Sequence, residues 1–338
     1  MSTMFLSTDT TSQLNTLPKY SIRWWRLLGK IIWKYKFVYL LMVGPTLSLI
    51  FVFRYLPMPG IFLGFQTFKP TFGGKGIYDF LRSSEFVGLK HFERMLIEPG
   101  FWIAMRNTII ISLMRIIIGF PFPIILALMI NEVYSRKYKR VVQTIYTFPH
   151  FLSWVVVAGI MLNIFGDSGA IKKLFVLFDP SYQNNWNFLY NNDIFRWLLV
   201  FLGMWKEAGW GTILYLAAIA GVDQSLYEAA TVDGCGRIKK IIHITLPGIM
   251  GMVVIMFILS IGNIMNVSFD QVFNLYSAPV HPSGDVIDTY IYRQTFQSST
   301  RMDYGFTTAV GLFKTVINFG LLISANFVAR RAGYDGII

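Results

Sequence analysis

The sequence predicts an all-α integral membrane protein with six transmembrane helices. Of its 338 residues, 54% are hydrophobic and only 14% are charged. A soluble globular domain carries about 25% charged residues, so this composition argues against a soluble enzyme and against a disordered chain. Six stretches reach the length of about 20 mostly apolar residues that a spanning helix needs. These stretches are 37–56, 104–130, 141–165, 195–220, 246–264 and 306–328.

The distribution of basic residues predicts the orientation of these spans. If the N-terminal tail is cytosolic, the cytosolic segments hold 15 of the 30 Lys and Arg residues, and the much longer outer loops hold 9. The cytosolic segments are then 1–36, 131–140, 221–245 and 329–338, and the outer loops are 57–103, 166–194 and 265–305. Because Lys and Arg concentrate on the cytosolic side of membrane proteins, both termini are predicted to be cytosolic.

The N-terminal tail, residues 1–36, carries a pattern of its own. Trp24, Leu28, Ile31 and Tyr35 recur at helical spacing, and basic residues fill many of the positions between them. Such a pattern predicts a basic amphipathic helix that lies on the inner membrane surface. The alternative is that these basic residues only set the orientation of the first span.

Two prolines, Pro121 and Pro123, interrupt the second predicted span. Each proline removes a backbone donor, so the helix is expected to kink or break there. A broken helix within a membrane usually lines a cavity, because its freed carbonyl groups need partners. A kink that only assists helix packing is the alternative.

The predicted cytosolic segment 221–245 reads as two short helices around a turn. Ser225 and Glu228 have the spacing of a capping box at the start of the first helix. Gly234 is expected to end that helix, because glycine readily adopts the positive φ of a helix C-terminus. Three isoleucines within 238–242 then give the second helix an apolar stripe.

This segment resembles the EAA loop of permease subunits in bacterial ATP-binding-cassette (ABC) importers. The family pattern is Glu-Ala-Ala, three residues, Gly, nine residues, Ile, one residue and Leu-Pro. The matching residues here, with the Asp that often precedes the Gly, are Glu228, Ala229, Ala230, Asp233, Gly234, Ile244, Leu246 and Pro247. In the family this loop is the coupling helix, which seats in a groove of the ATPase subunit. The resemblance therefore implies ATPase coupling, and a chance Glu-Ala-Ala in an amphipathic connector is the alternative.

Two further segments narrow the resemblance to the maltose-type carbohydrate group. Residues 54–60 and 86–92 resemble runs in polysaccharide and oligosaccharide permeases typified by alginate and pectin-fragment importers, although His91 replaces the usual Asn. The resemblance implies the binding-protein-dependent ABC permease fold in a bacterial inner membrane. It also implies that the chain forms half of the path for oligosaccharides, with anionic sugars such as alginate as candidates. The alternatives are a neutral oligosaccharide, a peptide or a phosphate ester, and an ion-coupled carrier is less favoured.

The same resemblance implies the partners: an ABC ATPase dimer, a homologous second permease and an extracytoplasmic solute-binding protein, assembled in membrane lipid. Residues 73–76, Gly-Gly-Lys-Gly, lack the spacing of a phosphate-binding P-loop. ATP and magnesium are therefore expected on the ATPase, and this chain is expected to hold no cofactor and to be no enzyme. Its four scattered histidines predict no metal site, and no nucleic-acid partner is expected.

Charged residues inside the spans are candidates for the substrate path. Arg115, Lys206, Glu207 and Lys314 lie deep, where each costs on the order of 3 kcal/mol if it faces lipid. Lys206 and Glu207 are adjacent, so they are expected on different faces of their helix. The path is then expected to carry an excess of two positive charges, which an anionic sugar would match. Pairing with carbonyl groups or with acids of a partner permease is the alternative.

Three aromatic residues of the fourth span are candidates to stack on sugar rings. They are Trp205, Trp210 and Tyr215. Aromatic side chains offer flat apolar faces to pyranose rings. They also populate protein cores and the membrane interface, so a packing role is the alternative.

Overall fold

The structure is a computed structural model that describes residues 35–67, 84–166, 169–178, 189–297, 303–334 and 336–337. The predicted interfacial helix of the tail, apart from Tyr35, and the glycine-rich loop 73–76 lie outside these residues. The predicted all-α fold class is confirmed, because the described chain is helical apart from connecting segments and one pair of two-residue strands.

The helices are α1 (Lys36–Ile50), α2 (Lys90–Ile97), α3 (Pro99–Met114), α4 (Pro121–Asn131), α5 (Arg136–Thr147), α6 (Trp154–Phe165), α7 (Ala170–Phe178), α8 (Asn192–Ala220), α9 (Gln224–Val232), α10 (Arg237–Lys240), α11 (Leu246–Gly248), α12 (Met250–Gly262), α13 (Phe269–Leu275), α14 (His281–Gly284), α15 (Ile287–Tyr292) and α16 (Tyr304–Arg331). The strands β1 (Gln66–Thr67) and β2 (Glu85–Phe86) pair antiparallel, with Gln66 opposite Phe86. Wider π-helical turns occupy Phe51–Tyr55, Arg115–Gly119, Ile241–Thr245 and Arg293–Gln297. Tighter 3-10 turns occupy Met58–Phe65, Phe148–Phe151 and Ala278–Val280.

Within the described residues, four helical runs are long and apolar enough to cross a membrane. They are Lys36–Phe65, Pro99–Asn131, Trp154–Phe178 and Tyr304–Arg331. A fifth candidate consists of Arg237–Gly248 and Met250–Gly262, which meet at a bend of 61°. Helix α8 has 29 residues, enough for a further span, but its middle carries two charged residues that lower its hydropathy. The count of six spans therefore stays a prediction.

The third predicted span, 141–165, is not a single helix. Helix α5 ends at Thr147, a 3-10 corner follows over Phe148–Phe151, and α6 begins only at Trp154. Pro149 lies in this corner, where a residue without a backbone donor interrupts the helical hydrogen-bond ladder. The apolar run lies instead in α6 and continues toward α7, as far as Phe178.

The prolines of the second span produce a wide turn rather than a gap. The backbone N–H of Phe120 donates to the carbonyl of Arg115 at 3.0 Å, which closes the π-helical turn Arg115–Gly119. Helix α4 then begins at Pro121, where a helix needs no backbone donor. The helical run thus continues from Pro99 to Asn131, and the wide turn begins at a charged residue.

Residues 1–61 and 62–338 form two separate compact units. In the first unit, α1 continues through the π-helical turn as far as Tyr55. Almost all of its described side chains are exposed, although they are predominantly apolar. A helix that is apolar on every side is typical of a membrane span, because lipid is its solvent.

Helix α8 is the central element of the second unit and packs most closely against α4, α5 and the 3-10 corner. Two of its glycines permit this approach. A Cβ at Gly209 would lie 2.2 Å from the carbonyl oxygen of Tyr146, and one at Gly211 would lie 3.2 Å from the ring of Pro123. Small residues let helix backbones approach closely within membranes. Glycine at position 209 is therefore a requirement of the packing.

The buried apolar residues that the structure describes in the second unit form three clusters. One joins Leu199 of α8 to Val272 of α13, the next joins Phe101 of α3 to Tyr290 of α15 and Phe306 of α16, and the last joins Tyr215 of α8 to Ile249. The first two clusters draw on residues of the predicted outer loop 265–305. The described part of that segment is therefore folded into short helices and contributes to the core.

Candidate functional site: a charged cavity and an exposed loop

A cavity of about 560 Å³ opens among α3, α4, α6, α8, α12 and α13. Most of its wall is apolar, and a few charged, polar and aromatic side chains interrupt it. Those side chains include Arg115, Glu207, Ser112, Ser260, Asn263, Asn266, Ser268, Gln271, Phe120, Trp154, Trp210 and Tyr215. Sites for organic ligands commonly combine an apolar wall with a few polar groups that fix orientation.

Arg115 is the cation of this cavity. It begins the π-helical turn, and its Nη2 donates a hydrogen bond to the Oε1 of Gln271. The amide Nε2 of Gln271 donates in turn to the carbonyl of Leu199 at 2.7 Å. The Nε of Arg115 is buried and has no hydrogen-bond partner among the described residues. No ion pair in the described part of the chain includes Arg115, so it retains a net charge.

Lys206 and Glu207 form an ion pair, which their expected placement on different faces of α8 had not suggested, and only Glu207 lines the cavity. The Lys206 Nζ lies 3.3 Å from Glu207 Oε1 and donates to the His150 carbonyl at 2.8 Å. The other Glu207 oxygen lies 2.9 Å from His150 Nδ1, and Trp210 stacks on the His150 ring with centroids 4.8 Å apart. Adjacent helical residues are only about 100° apart, and long side chains bridge that angle. The Lys206 charge is thus balanced locally.

Lys314 lies outside the cavity. It lines a separate, open pocket of about 520 Å³ together with Asp288, and its Nζ pairs with Asp288 Oδ1 at 2.5 Å. Asp288 belongs to the segment predicted as an outer loop, which the sequence did not place against a span. The predicted excess of two deep cations therefore falls to one, Arg115, within the residues that the structure describes.

The three aromatic candidates separate into two groups. Trp210 and Tyr215 line the cavity, whereas Trp205 is 44% exposed and lies off it. Among the lining residues that the sequence reasoning missed are Trp154 and Gln271. Gln271 carries no sequence signal, because it is a single amide in a segment too short to be taken for a span.

The segment 221–245 forms two short helices, α9 and α10, around a turn. Gly234 has φ of 74°, so its predicted positive φ is confirmed. The predicted capping box is wrong, because the N-cap is Asp223, whose carboxylate accepts from the Ser225 N–H at 2.9 Å. This backbone hydrogen bond holds the pKa of Asp223 below its ordinary value. Glu228 is left free of capping and is exposed.

Hydrogen bonds fix α9 to the chain that follows it. The Tyr227 hydroxyl lies 2.9 Å from Thr245 Oγ1, and the Lys240 Nζ donates to Thr231 Oγ1 at 2.6 Å. Four large apolar side chains of this segment are exposed, namely Leu226, Val232, Ile238 and Ile242. The segment thus exposes apolar side chains while hydrogen bonds hold α9 in place.

The residues of the Glu-Ala-Ala pattern divide by exposure. Glu228, Ala229, Asp233, Gly234 and Pro247 are exposed, and Ala230, Ile244 and Leu246 are partly buried. The partly buried residues Ile244 and Leu246 lie where the segment joins α11. The exposed part is therefore accessible to a partner, while the other part anchors the loop to the following helix.

Residues 119–334 match the family model for the binding-protein-dependent transport system inner membrane component. The chain belongs to this family. It is the membrane permease component of an ABC importer. The matched region contains α4, α8 and the exposed loop, and it includes most of the cavity wall.

Relatives and solved structures agree with this membership. The chain is 40% identical over 315 residues to the polygalacturonan/rhamnogalacturonan transport system permease protein YteP of Bacillus subtilis (strain 168), covering 92% of this chain and 93% of that protein. It is 39% identical over 303 residues to protein LplB of the same organism, covering 89% and 91%. A crystal structure of a bacterial alginate ABC transporter, in complex with alginate pentasaccharide-bound periplasmic protein, superposes with a TM-score of 0.77 at 34% identity. That match covers 91% of this chain and 99% of the other.

Proposed function

We propose that this permease forms half of the translocation path of an importer for acidic oligosaccharides, such as fragments of polyuronates. A homologous second permease would complete the path, an ABC ATPase dimer would bind ATP and magnesium, and a solute-binding protein would deliver the cargo. The names of the relatives support the cargo class, since one is a polygalacturonan/rhamnogalacturonan permease and the structural neighbour is an alginate transporter.

The observation that carries the proposal is the charge of Arg115. Glu207 faces the same cavity and attracts Arg115 electrostatically. Its two carboxylate oxygens, however, are engaged by Lys206 and His150. Arg115 therefore contributes an unbalanced positive charge to a mostly apolar wall, where an isolated cation is costly. A carboxylate on the cargo would relieve that cost.

The aromatic residues of the cavity support a sugar as the carrier of that carboxylate. Trp154, Trp210 and Tyr215 lie in the same wall as Arg115. An oligouronate offers both apolar ring faces and carboxylates, so it would use both kinds of group. A phosphate ester would use the cation but would leave the aromatic faces without a partner.

The exposed loop supports coupling to the ATPase. In our proposal, ATP binding closes the ATPase dimer and moves α9, so that the spans open outward to receive the cargo. Hydrolysis then returns the inward-facing state. The hydrogen bonds that join α9 to Lys240 and Thr245 would transmit that motion, because a segment held together by hydrogen bonds moves as a unit.

The test is a titration of the nucleotide-free complex in lipid nanodiscs with tetragalacturonate and with its methyl ester, which has the same length but no charge. The protein should bind the acid more tightly than the ester. Arg115→Gln should weaken acid binding about tenfold, because a charge-assisted hydrogen bond contributes about 1.5–3 kcal/mol. It should leave ester binding unchanged.

The control is Arg106→Gln, the same substitution on an exposed residue of α3. This variant should keep the preference for the acid. Equal binding of acid and ester by the unmodified complex would refute the acidic cargo. An unchanged preference in Arg115→Gln would instead remove Arg115 from the path, and tight binding of glycerol phosphate alone would favour the phosphate-ester alternative.

A further inference from the structure

We infer that Gln271 determines the charge of the cavity wall: it is a positioning residue that holds Arg115 through a neutral group, and so leaves the full positive charge of Arg115 for the cargo. This inference rests on the proposed function, because it names a residue that sets the preference for acidic cargo at the same site. Gln271 lies in α13, within the segment that the sequence suggested was an outer loop.

The orientation of the Gln271 amide follows from its two partners. Its side chain is fully buried between Arg115 and the backbone of α8. The carbonyl of Leu199 can only accept a hydrogen bond, so the amide nitrogen must face it. The amide oxygen must then face the guanidinium, which can only donate. Both ends of the amide are therefore used, and neither can turn without losing a buried hydrogen bond.

A neutral partner has a different electrostatic consequence from a carboxylate. Four other cations among the described residues of the second unit, Arg94, Lys206, Arg293 and Lys314, each pair with a carboxylate. Each of those pairs has no net charge and exerts little attraction on an anion. The amide oxygen of Gln271 satisfies one donor of Arg115 but cancels none of its charge. Arg115 is thus held in place and stays attractive to an anion.

The Nε edge of the guanidinium is left without a hydrogen-bond partner among the described residues. Gly203 of α8 lies beside it in the cavity wall. A Cβ at Gly203 would lie 3.8 Å from that Nε and 3.4 Å from Gln271 Oε1. Any longer side chain there would cover the guanidinium. Arg115 as a whole is only partly buried and lines the cavity, so a carboxylate of the cargo can approach it from the cavity.

The experiment compares Gln271→Glu, Gln271→Met and Arg115→Gln in the nucleotide-free complex in nanodiscs, titrated with tetragalacturonate and its methyl ester at several salt concentrations. Gln271→Glu has nearly the same shape but introduces a carboxylate that neutralises Arg115. It should weaken acid binding about tenfold, abolish its salt dependence and spare the ester. Gln271→Met keeps the charge but not the hydrogen bonds, so it should retain salt-dependent acid binding with a smaller loss.

The outcomes separate this inference from the proposed function. If Gln271→Glu keeps the preference for the acid while Arg115→Gln loses it, the inference is wrong and the proposed function stands. If all Gln271 variants weaken acid and ester equally, Gln271 only supports the fold and the inference is also wrong. If the unmodified complex does not prefer the acid, the proposed function itself fails. Partial recovery of acid preference in the double variant Arg115→Gln/Gln271→Arg would support the inference further.

Discussion

The electrostatic properties of this permease depend on single side chains. His281 is an example, because its neighbours change the pKa of its ring. Its ring stacks on Tyr276 at 4.7 Å, and its Nδ1 lies 3.0 Å from the Arg293 guanidinium. Since Arg293 only donates, Nδ1 must accept, and the histidine must be neutral. Burial, and then the charge of Arg293, lower the pKa of His281, while Asp285 opposes this shift. His281 lies outside the predicted spans.

This arrangement predicts a loss of stability in mild acid. Because the pKa of His281 is lower in the folded protein than its ordinary 6.5, the unfolded chain takes up the proton first. The contribution to the free energy of unfolding is therefore complete above about pH 6.5 and declines as the pH falls below it. His281→Gln keeps an acceptor but cannot titrate. Its thermal inactivation midpoint should fall less between pH 7.5 and pH 5.5 than that of the unmodified complex.

The matched control is His243→Gln, which removes an exposed histidine of the loop 221–245. It should leave the pH dependence as it is. An unchanged pH dependence in His281→Gln would show that another group is responsible.

At the scale of elements, the packing of α8 depends on the absence of a side chain at Gly209. The C-terminal end of α5, at Tyr146 and Thr147, meets α8 at this point, with backbone against backbone. The 3-10 corner that directly follows α5 supplies the His150 carbonyl that receives Lys206. Helix packing and the ion pair of the cavity wall therefore depend on the same close approach.

Substitution of Gly209 by Ala should destabilise the permease by about 1–3 kcal/mol or more, because a buried backbone cannot move aside without loss of contacts. Gly251→Ala is the control, since a Cβ at Gly251 meets nothing within 4 Å. That control should be neutral or slightly stabilising, because alanine favours helix more than glycine does. Thermal inactivation of both variants in nanodiscs checks the prediction. Equal midpoints would contradict the close approach at Gly209.

The sequence predicted those elements whose signal lies within one stretch of chain. Helix α8 was expected over 195–220 and lies at Asn192–Ala220, and the α9–α10 pair was expected from its own pattern. The sequence showed that Pro149 interrupts the third predicted span, but not that the span divides there, because the apolar run of α6 appeared continuous with the basic, amphipathic α5. Gln271 was missed for a different reason: its role depends on Arg115, 156 residues away.

At the scale of the whole molecule, exposed apolar side chains occur both along α1 and on the loop 221–245. Helix α1 exposes apolar side chains along its length, as a spanning helix does. The loop 221–245 exposes Leu226, Val232 and Ile238 at a predicted cytosolic position, where no lipid core covers them. Exposed apolar patches on soluble surfaces often mark interaction sites, which agrees with the docking role that we propose for this loop.

Reversal of one charge on this surface should separate docking from folding. Glu228→Lys should leave the spans folded but reduce the amount of ATPase that co-purifies with the permease, together with the transport rate. Glu132→Lys is the matched control, since it reverses an exposed charge at the end of α4 on the same predicted side. If both variants retain the ATPase and transport equally, the coupling role of Glu228 is wrong.

The 61° bend at Ile249 divides this part of the chain into two helical arms that point in different directions. One arm runs from α10 to α11, and hydrogen bonds hold α9 against it. The other arm is α12, which packs along α16 and borders the cavity through Met256 and Ser260. A straight helix transmits a displacement along its own axis, whereas two helices joined at a bend convert part of that displacement into a lateral one. Motion at the loop would therefore displace the cavity wall laterally, without any need to stretch a helix that crosses the membrane.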